Sequence, residues 1–248
     1  METVVINLIA SAFAFMCLIL LVCSMIYYHL RVPKKEFDPK LGESFILSYK
    51  LRQWWTWIIS PLENYFVDNR ISPISITSFG LVFSIVAGLL FSQGLISLAG
   101  FSLLASAILD ILDGRVARRR HISSNLGAFV DSVFDRIGEF FIFGGLLSYY
   151  AVIKFYFLTI LIIILGSFLT SYCKARAESL GVKCDVGILQ RPERLAVLIV
   201  MSCLGPALGY LFGFGTLFFI NITLVLFAVL TTITFLQRLY HSLKLLKQ

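Results

Sequence analysis

The sequence predicts an all-α membrane protein. Of its 248 residues 58% are hydrophobic, and the mean hydropathy of +0.89 lies far above that of a soluble domain of this length. Seven apolar stretches reach the ~20 residues that a bilayer core requires of a helix, near 3–28, 74–93, 95–113, 126–150, 155–176, 192–211 and 215–237. Lysines and arginines collect in alternate connections between them, the bias of a multi-pass protein toward its cytoplasmic side.

The first stretch reads as a retained span and not a secretory signal. Glu2 stands where a basic leader belongs, and the apolar run greatly exceeds the ~7–15 residues of a signal core. Residues 31–71 contain no span. They are charged and aromatic, with Pro33 and Pro61 as punctuation, and Leu47, Leu51, Trp54, Trp55 and Ile58 recur at helical spacing beside Lys50, Arg52 and Gln53. That pattern predicts an interfacial amphipathic helix lying in the headgroup plane, an anchor in preference to a partner-binding surface. From Ser72 onward the spans are joined by short connections, with uncharged turns at Ser92-Gln93-Gly94 and Gly213-Phe214-Gly215. The simplest division is an N-terminal transmembrane helix (1–30), a cytoplasmic or interfacial amphipathic segment (31–71) and a six-helix membrane domain (72–248).

With the N-terminus outside, Arg115, Arg118, Arg119 and Arg120 fall in one inner loop, and Lys174, Arg176, Lys183, Arg191 and Arg194 in the next. Arg238, Lys244 and Lys247 follow the last span, and only Lys154 is left outside. The formal charge of +7 is therefore mostly a cytoplasmic-face charge. It suits anionic membrane lipids and phosphorylated substrates, places the chemistry on the cytoplasmic face of the cell membrane, and calls for no nucleic acid. Five cysteines form no C-x-x-C pair and read as free thiols, and His29, His121 and His241 are isolated.

Chemistry concentrates in one polar interruption. Asp110 and Asp113 share a face at the end of the third span, after which Gly114 lets the chain turn. In the next span Gly127, Asp131 and Asp135 form an i, i+4, i+8 stripe. Apposing the two helices brings four carboxylates to one pocket, where mutual repulsion and desolvation would leave neutral acids unless a cation balances them. A pair of Mg²⁺ or Mn²⁺ ions, hard cations that prefer oxygen, fits that demand and binds diphosphates as well. An ion-pair network with Arg115, Arg118, Arg119, Arg120 and Arg136 accounts for one or two of the acids but not for this spacing. An ion or proton transporter is the alternative from another class, yet no polar residue continues a path outward through 95–105 or 140–150.

The pattern D-x-x-D-G-x-x-A-R-x8-G-x-x-x-D-x-x-x-D resembles the signature of the CDP-alcohol phosphatidyltransferases at all eight fixed positions. The resemblance implies that family's six-helix transmembrane bundle from about residue 72 to 240, extended here by the N-terminal helix and the interfacial segment. It implies a phospholipid-synthesising transferase that forms a homodimer, with Asp110, Asp113 and Asp131 as metal ligands. Asp135 would approach the metals and act as base. Gly114, Ala117 and Gly127 would admit the nucleotide of a CDP-linked lipid, with Arg118 facing its phosphates. One departure stands out: where the family often reads P-N-x-x-T, this chain has Pro73-Ile74-Ser75-Ile76-Thr77, which withdraws a polar contact from position 74 and leaves the aspartates untouched.

A second cluster concerns the acceptor. Lys174-Ala175-Arg176-Ala177-Glu178 is followed by Arg191-Pro192-Glu193-Arg194, with Pro192 suited to a first helical turn. A helix N-terminus flanked by guanidinium groups favours a phosphate, although positive-inside bias alone also accounts for each arginine taken singly. Together the two motifs resemble the branch that makes phosphatidylinositol phosphate or its archaeal ether-lipid equivalent. By that resemblance Lys174 and Arg194 contact the acceptor phosphate, with Arg176 and Arg191 beside them, and Arg238 joins by position alone. The expected reaction moves a phosphatidyl group from a CDP-lipid to inositol phosphate and releases CMP, with glycerol 3-phosphate or free inositol as alternative acceptors. No Ser-His or Cys-His pair suggests a covalent intermediate.

Overall fold

In a computed structural model the chain is all-helical, described over residues 2–31 and 49–247, with side chains of the second stretch from residue 53 onward. The elements are α1 (Glu2–Arg31), α2 (Tyr49–Asp68), α3 (Pro73–Ser92), α4 (Ile96–Arg119), α5 (Asn125–Tyr149), α6 (Lys154–Ser179), α7 (Arg191–Leu211) and α8 (Phe218–Leu246). Six of them, α1, α3, α4, α6, α7 and α8, are long and apolar enough to cross a membrane. The expected span near 126–150 forms as α5 but is not among the six, because Asp131, Asp135, Arg136 and Glu139 interrupt its apolar sequence. It nonetheless packs lengthwise on α3.

Two helix pairs frame the molecule: α3 lies between α4 and α5, and α6 packs on α8, while α7 joins α4 to α8. Phe91, Ile96, Leu103, Phe143, Leu146, Ile163, Leu198 and Leu224 fill the space between them. Apolar burial distinguishes poorly between helix and lipid, so small and polar residues fix the register. Ser106 Oγ donates to the Gly80 carbonyl at 2.8 Å and pairs with Ser84 Oγ at 2.8 Å, and Ser102 reaches the Phe83 carbonyl at 2.8 Å, stitching α4 to α3. Between α3 and α5 the backbones touch, since a Cβ on Gly145 would run into the Gly88 carbonyl. Large apolar side chains such as Phe79, Val82, Leu89 and Leu165 stay on the outside, as a lipid-facing surface requires.

The N-terminal helix is held by polar contacts. Asn7, buried on α1, donates to the Gly94 carbonyl at 2.9 Å and accepts from the Ser97 amide at 3.1 Å, and Ser11 pairs with Ser97 at 2.9 Å. At its other end Ser24 accepts the Trp54 indole N–H of α2 at 3.2 Å. Of the residues expected in the amphipathic segment, Leu47 and Pro33 lie outside the described residues, while Trp54 and Ile59 of α2 are buried. Pro61 does not punctuate the chain as expected. It sits inside α2, where a proline leaves the carbonyl four residues earlier without its donor, and the Ser60 hydroxyl takes that role on Trp57 at 2.8 Å. Buried Glu63 accepts from Arg115 at 2.5 and 2.7 Å and lies 3.5 Å from Arg119, while Arg120 donates to the Ile71 carbonyl at 2.8 Å. Two of the four arginines at the end of α4 therefore dock α2 and a third the connection that follows it, so none of the three is spent on the aspartates.

Candidate active site

Gly114 does not turn the chain. The helix α4 continues to Arg119, and the reversal comes at His121, whose φ of 55° lies in the left-handed region. Carrying the helix on for another turn projects Arg118 back over Gly114, where a Cβ would come within 3.1 Å of its Nη1, so glycine keeps that side open. The next helix starts under tight control: Ser124 is its N-cap, and its hydroxyl accepts the Gly127 amide at 3.1 Å. This fixes the phase of α5, and with it the direction of the acidic stripe.

One carboxylate oxygen from each of Asp110, Asp131 and Asp135 lies within 4.8 Å of the other two. Among the described residues it is the one group of acids, histidines or cysteines so disposed. Asp113 stands beside that trio and not within it. Its Oδ2 accepts the Thr77 hydroxyl at 2.7 Å, so the threonine of the Pro73-to-Thr77 motif orients an acid. Two cations already face the cluster. Arg191 Nη2 is 2.6 Å from Asp135 Oδ1 and its Nη1 is 3.5 Å from Asp110 Oδ1, and Arg136 lies 3.3 Å from Asp135 Oδ2. Three converging hard oxygen donors, with positive charge drawn toward them, form a site that can hold a divalent metal.

Above the acids opens a cavity of about 360 Å³. Gly114, Ala117, Arg118 and Gly127, the residues expected to meet a nucleotide, all line it, together with Asp113, Asp131, Thr77 and Ser124. Ile74 lines it too, contributing an apolar side chain where the family often has asparagine. The walls are small residues and helix ends, and the floor is acidic, a combination that accommodates a polar ligand bridged to the carboxylates by cations.

The basic residues do not gather into one open patch. Lys174 pairs with Asp185 at 2.8 Å and Glu178 at 3.6 Å and borders a cavity of about 690 Å³ between α5 and α6 that Arg136 also lines. Asp185 is fully exposed, and hydrogen bonds from Lys174 and Lys183 hold its carboxyl down at about 2. Arg176 points elsewhere, into an apolar groove between α6 and α8, apart from the acids. Arg191 belongs to the aspartate cluster. Arg194 is 2% exposed and donates through Nε at 2.9 Å, and through Nη2, to Glu139 Oε1, while its Nη1 is buried without a partner. Arg238, 5% exposed, donates to the carbonyls of Val186 at 2.8 Å and Thr170 at 3.0 Å.

Sequence reasoning passed over Glu139, Thr77 and Ser124. Glu139 could have been found, because it extends the 131, 135 stripe by four more residues. Thr77 and Ser124 lay in plain view as a motif residue and a helix cap, but their partners depend on how the helices meet.

Comparison with known proteins agrees with this geometry. The chain matches the CDP-alcohol phosphatidyltransferase family over residues 70–236. It is 31% identical over 193 residues to a phosphatidylinositol phosphate synthase of Mycobacteroides abscessus, covering 76% of this chain and 85% of that one. It is 33% identical over 219 residues to an archaetidylinositol phosphate synthase of Methanothermobacter thermautotrophicus, covering 84% of this chain and 100% of that one. Among solved structures, Mycobacterium tuberculosis phosphatidylinositol phosphate synthase with CDP-DAG bound superposes with a TM-score of 0.67 at 29% identity, covering 75% of this chain and 94% of that one. The same synthase in complex with manganese and citrate gives a TM-score of 0.67 at 28% identity, covering 73% and 87%. The chain belongs to the CDP-alcohol phosphatidyltransferase family.

Proposed function

We propose that this protein transfers the phosphatidyl group of a CDP-linked lipid to inositol phosphate and releases CMP. The observation that carries the acceptor is the charge around Arg194 and Arg238. Both guanidinium groups are buried; Arg194 has one counter-charge in Glu139 and keeps an unpartnered Nη1, whereas Arg238 has only carbonyl partners and no counter-charge in the described contacts. Burying a cation without a counter-charge is costly, and an acceptor phosphate would supply one where a neutral alcohol would not. Glycerol 3-phosphate shares that phosphate, and the relatives' names favour inositol phosphate over it.

Asp110, Asp113 and Asp131 hold the metals in this reading, with Asp135 beside them, and the family precedent supports two ions. When bound, those ions supply Lewis-acid stabilisation of the diphosphate and of the departing CMP. Arg118, on the wall of the 360 Å³ cavity, meets the CDP phosphates, and Gly114, Ala117 and Gly127 leave room for the nucleotide. The acceptor phosphate is received by Lys174, Arg191, Arg194 and Arg238. Arg176 belongs to the original acceptor set but has little support, since it borders the α6–α8 groove. The acceptor hydroxyl oxygen attacks the lipid-linked phosphorus in line, its proton passes to Asp135, and the bond to the CMP oxygen breaks. Asp135 sits at the junction of both halves of the site, 2.6 Å from Arg191, which supports its role as base.

The division into an N-terminal transmembrane helix (1–30), an interfacial amphipathic segment (31–71) and a catalytic domain (72–248) is supported by the family match beginning at residue 70. The lysine and arginine distribution supports a seven-span protein in the cytoplasmic membrane with its active site facing inward. A homodimer rests on the family resemblance.

The test is CMP release by purified protein given CDP-diacylglycerol, Mg²⁺ or Mn²⁺, and inositol phosphate, glycerol 3-phosphate, inositol or serine in turn. Inositol phosphate is expected to support the fastest turnover. Equal or faster turnover with a neutral alcohol would refute the assignment.

A further inference from the structure

We propose that Glu139 is a positioning residue for recognition of the acceptor phosphate, clamping Arg194 through Nε and Nη2 so that Nη1 is left for the anion; this rests on the phosphorylated-acceptor reading above. The acidic stripe of α5 continues from Asp131 and Asp135 to Glu139, each step being one helical turn. The first two acids join the metal-site cluster, whereas the third meets Arg194 on the first turn of α7. Both partners are buried, with side chains 5% and 2% exposed.

The pair does not use all of its donors. Glu139 is the one acid ion-paired with Arg194 in the described contacts, and Arg238, buried as well, donates only to carbonyls. Asp185 is exposed and bonded to Lys174 and Lys183, and no described ion pair joins it to Arg194 or Arg238. A purely structural pair would neutralise its own charge and use its own donors. Here a cationic edge remains, Nη1 of Arg194, buried and without a partner. A long side chain with an unanchored head would lose rotamer entropy on meeting a ligand. Anchoring two of its nitrogens on Glu139 removes that cost and makes the phosphate contact geometric as well as ionic.

The experiment measures KM for inositol phosphate, KM for CDP-diacylglycerol, kcat and melting temperature on the purified full chain. Glu139→Ala, Glu139→Gln and Arg194→Gln are compared with the natural sequence. Glu139→Ala is expected to raise the inositol phosphate KM roughly tenfold or more, with kcat within a few fold and the CDP-diacylglycerol KM unmoved. Glu139→Gln keeps an oxygen for Nε and Nη2 without the charge, and should recover much of that loss, leaving KM up by about threefold. If Glu139→Ala does not fold, Glu139→Gln decides alone, and an unchanged KM overturns the proposal. A lower melting temperature with unchanged acceptor KM in both variants also overturns it, since that is the signature of a structural pair. Should Arg194→Gln raise KM while neither Glu139 variant does, the acceptor reading stands and Glu139 has no part in it. Should none of the variants move KM and free inositol prove the better substrate, the acceptor reading itself fails and this proposal with it.

Discussion

Asp110 and Asp113 lie one turn apart on α4, and Asp131 and Asp135 one turn apart on α5, so helix geometry alone sets each pair on a common face. The basic side of the site is assembled differently. Arg194 finds Glu139 across 55 residues, and Arg238 finds the Val186 and Thr170 carbonyls across 52 and 68. The acidic half thus depends on two helices consecutive in the chain, joined by one short connection and both packed on α3, whereas the basic half depends on how α6, α7 and α8 close around a loop. Arg191 belongs to both, being a member of the basic motif in sequence and of the aspartate cluster in space. On the function proposed above, the acidic half carries the transfer and the basic half selects what receives the lipid.

The largest effects should come from the acidic half. Asp110→Asn and Asp131→Asn are each expected to lower turnover at least ~100-fold and to abolish Mn²⁺ binding followed by calorimetry. Asp113→Asn should lose turnover comparably but weaken Mn²⁺ binding less, because Asp113 stands outside the converging trio and is held by Thr77. Equal loss of metal in all three would show that Asp113 belongs to the inner set. Asp135→Asn should retain binding of the CDP-lipid while losing turnover, since a base is needed only when the acceptor hydroxyl loses its proton.

Arg191→Gln tests whether the two halves meet. Removing a guanidinium 2.6 Å from Asp135 takes away a competing cation, so Mn²⁺ affinity should rise a few fold while the acceptor KM also rises. A change in one quantity without the other would separate the halves.

A control lies outside both. Glu63→Gln breaks the buried anchor of α2 on Arg115, and stability should fall by about 1–3 kcal/mol, less than for a fully dry ion pair because Arg115 is 21% exposed. Melting should move with both KM values unchanged. The smallest effect is expected at Asp185. Its lowered pKa means that whatever stability it contributes is present above the unfolded value of 3.8 and is lost as pH falls through about 2. The melting difference between the natural protein and Asp185→Asn should therefore be slight and constant above about pH 5, closing as pH falls from there through about 2; a difference that grows between pH 5 and 8 would point to another titrating group.

The same contrast explains what the sequence made legible. The helices were readable from apolar runs, most of them to within a few residues at their ends, because bilayer thickness constrains length and composition together. The end of α4 was misplaced at Gly114, since helix continuation there depends on Arg115 and Arg119 reaching Glu63 on another helix. The reading of Pro61 as punctuation failed for a similar reason, a neighbouring serine having replaced the missing donor. In the site, acids and small residues at fixed spacing marked the acid cluster and the walls of the cavity above it. The basic motif announced charge but not geometry, and it grouped Arg176 with residues from which the fold separates it. Glu139 stayed unread although it continues the stripe of Asp131 and Asp135, because its role depends on Arg194 of another helix.

The central claim, that buried guanidinium groups select a phosphorylated acceptor, is tested most directly by the ratio of kcat/KM for inositol phosphate to that for free inositol, measured in the natural protein and in Arg194→Gln. The natural protein should favour inositol phosphate strongly, and the substitution should lower the ratio roughly tenfold or more, equivalent to ~1.5–3 kcal/mol for a hydrogen bond to a charged group. A ratio near one in the natural protein, or a strong preference that Arg194→Gln leaves unchanged in correctly folded protein, would contradict it.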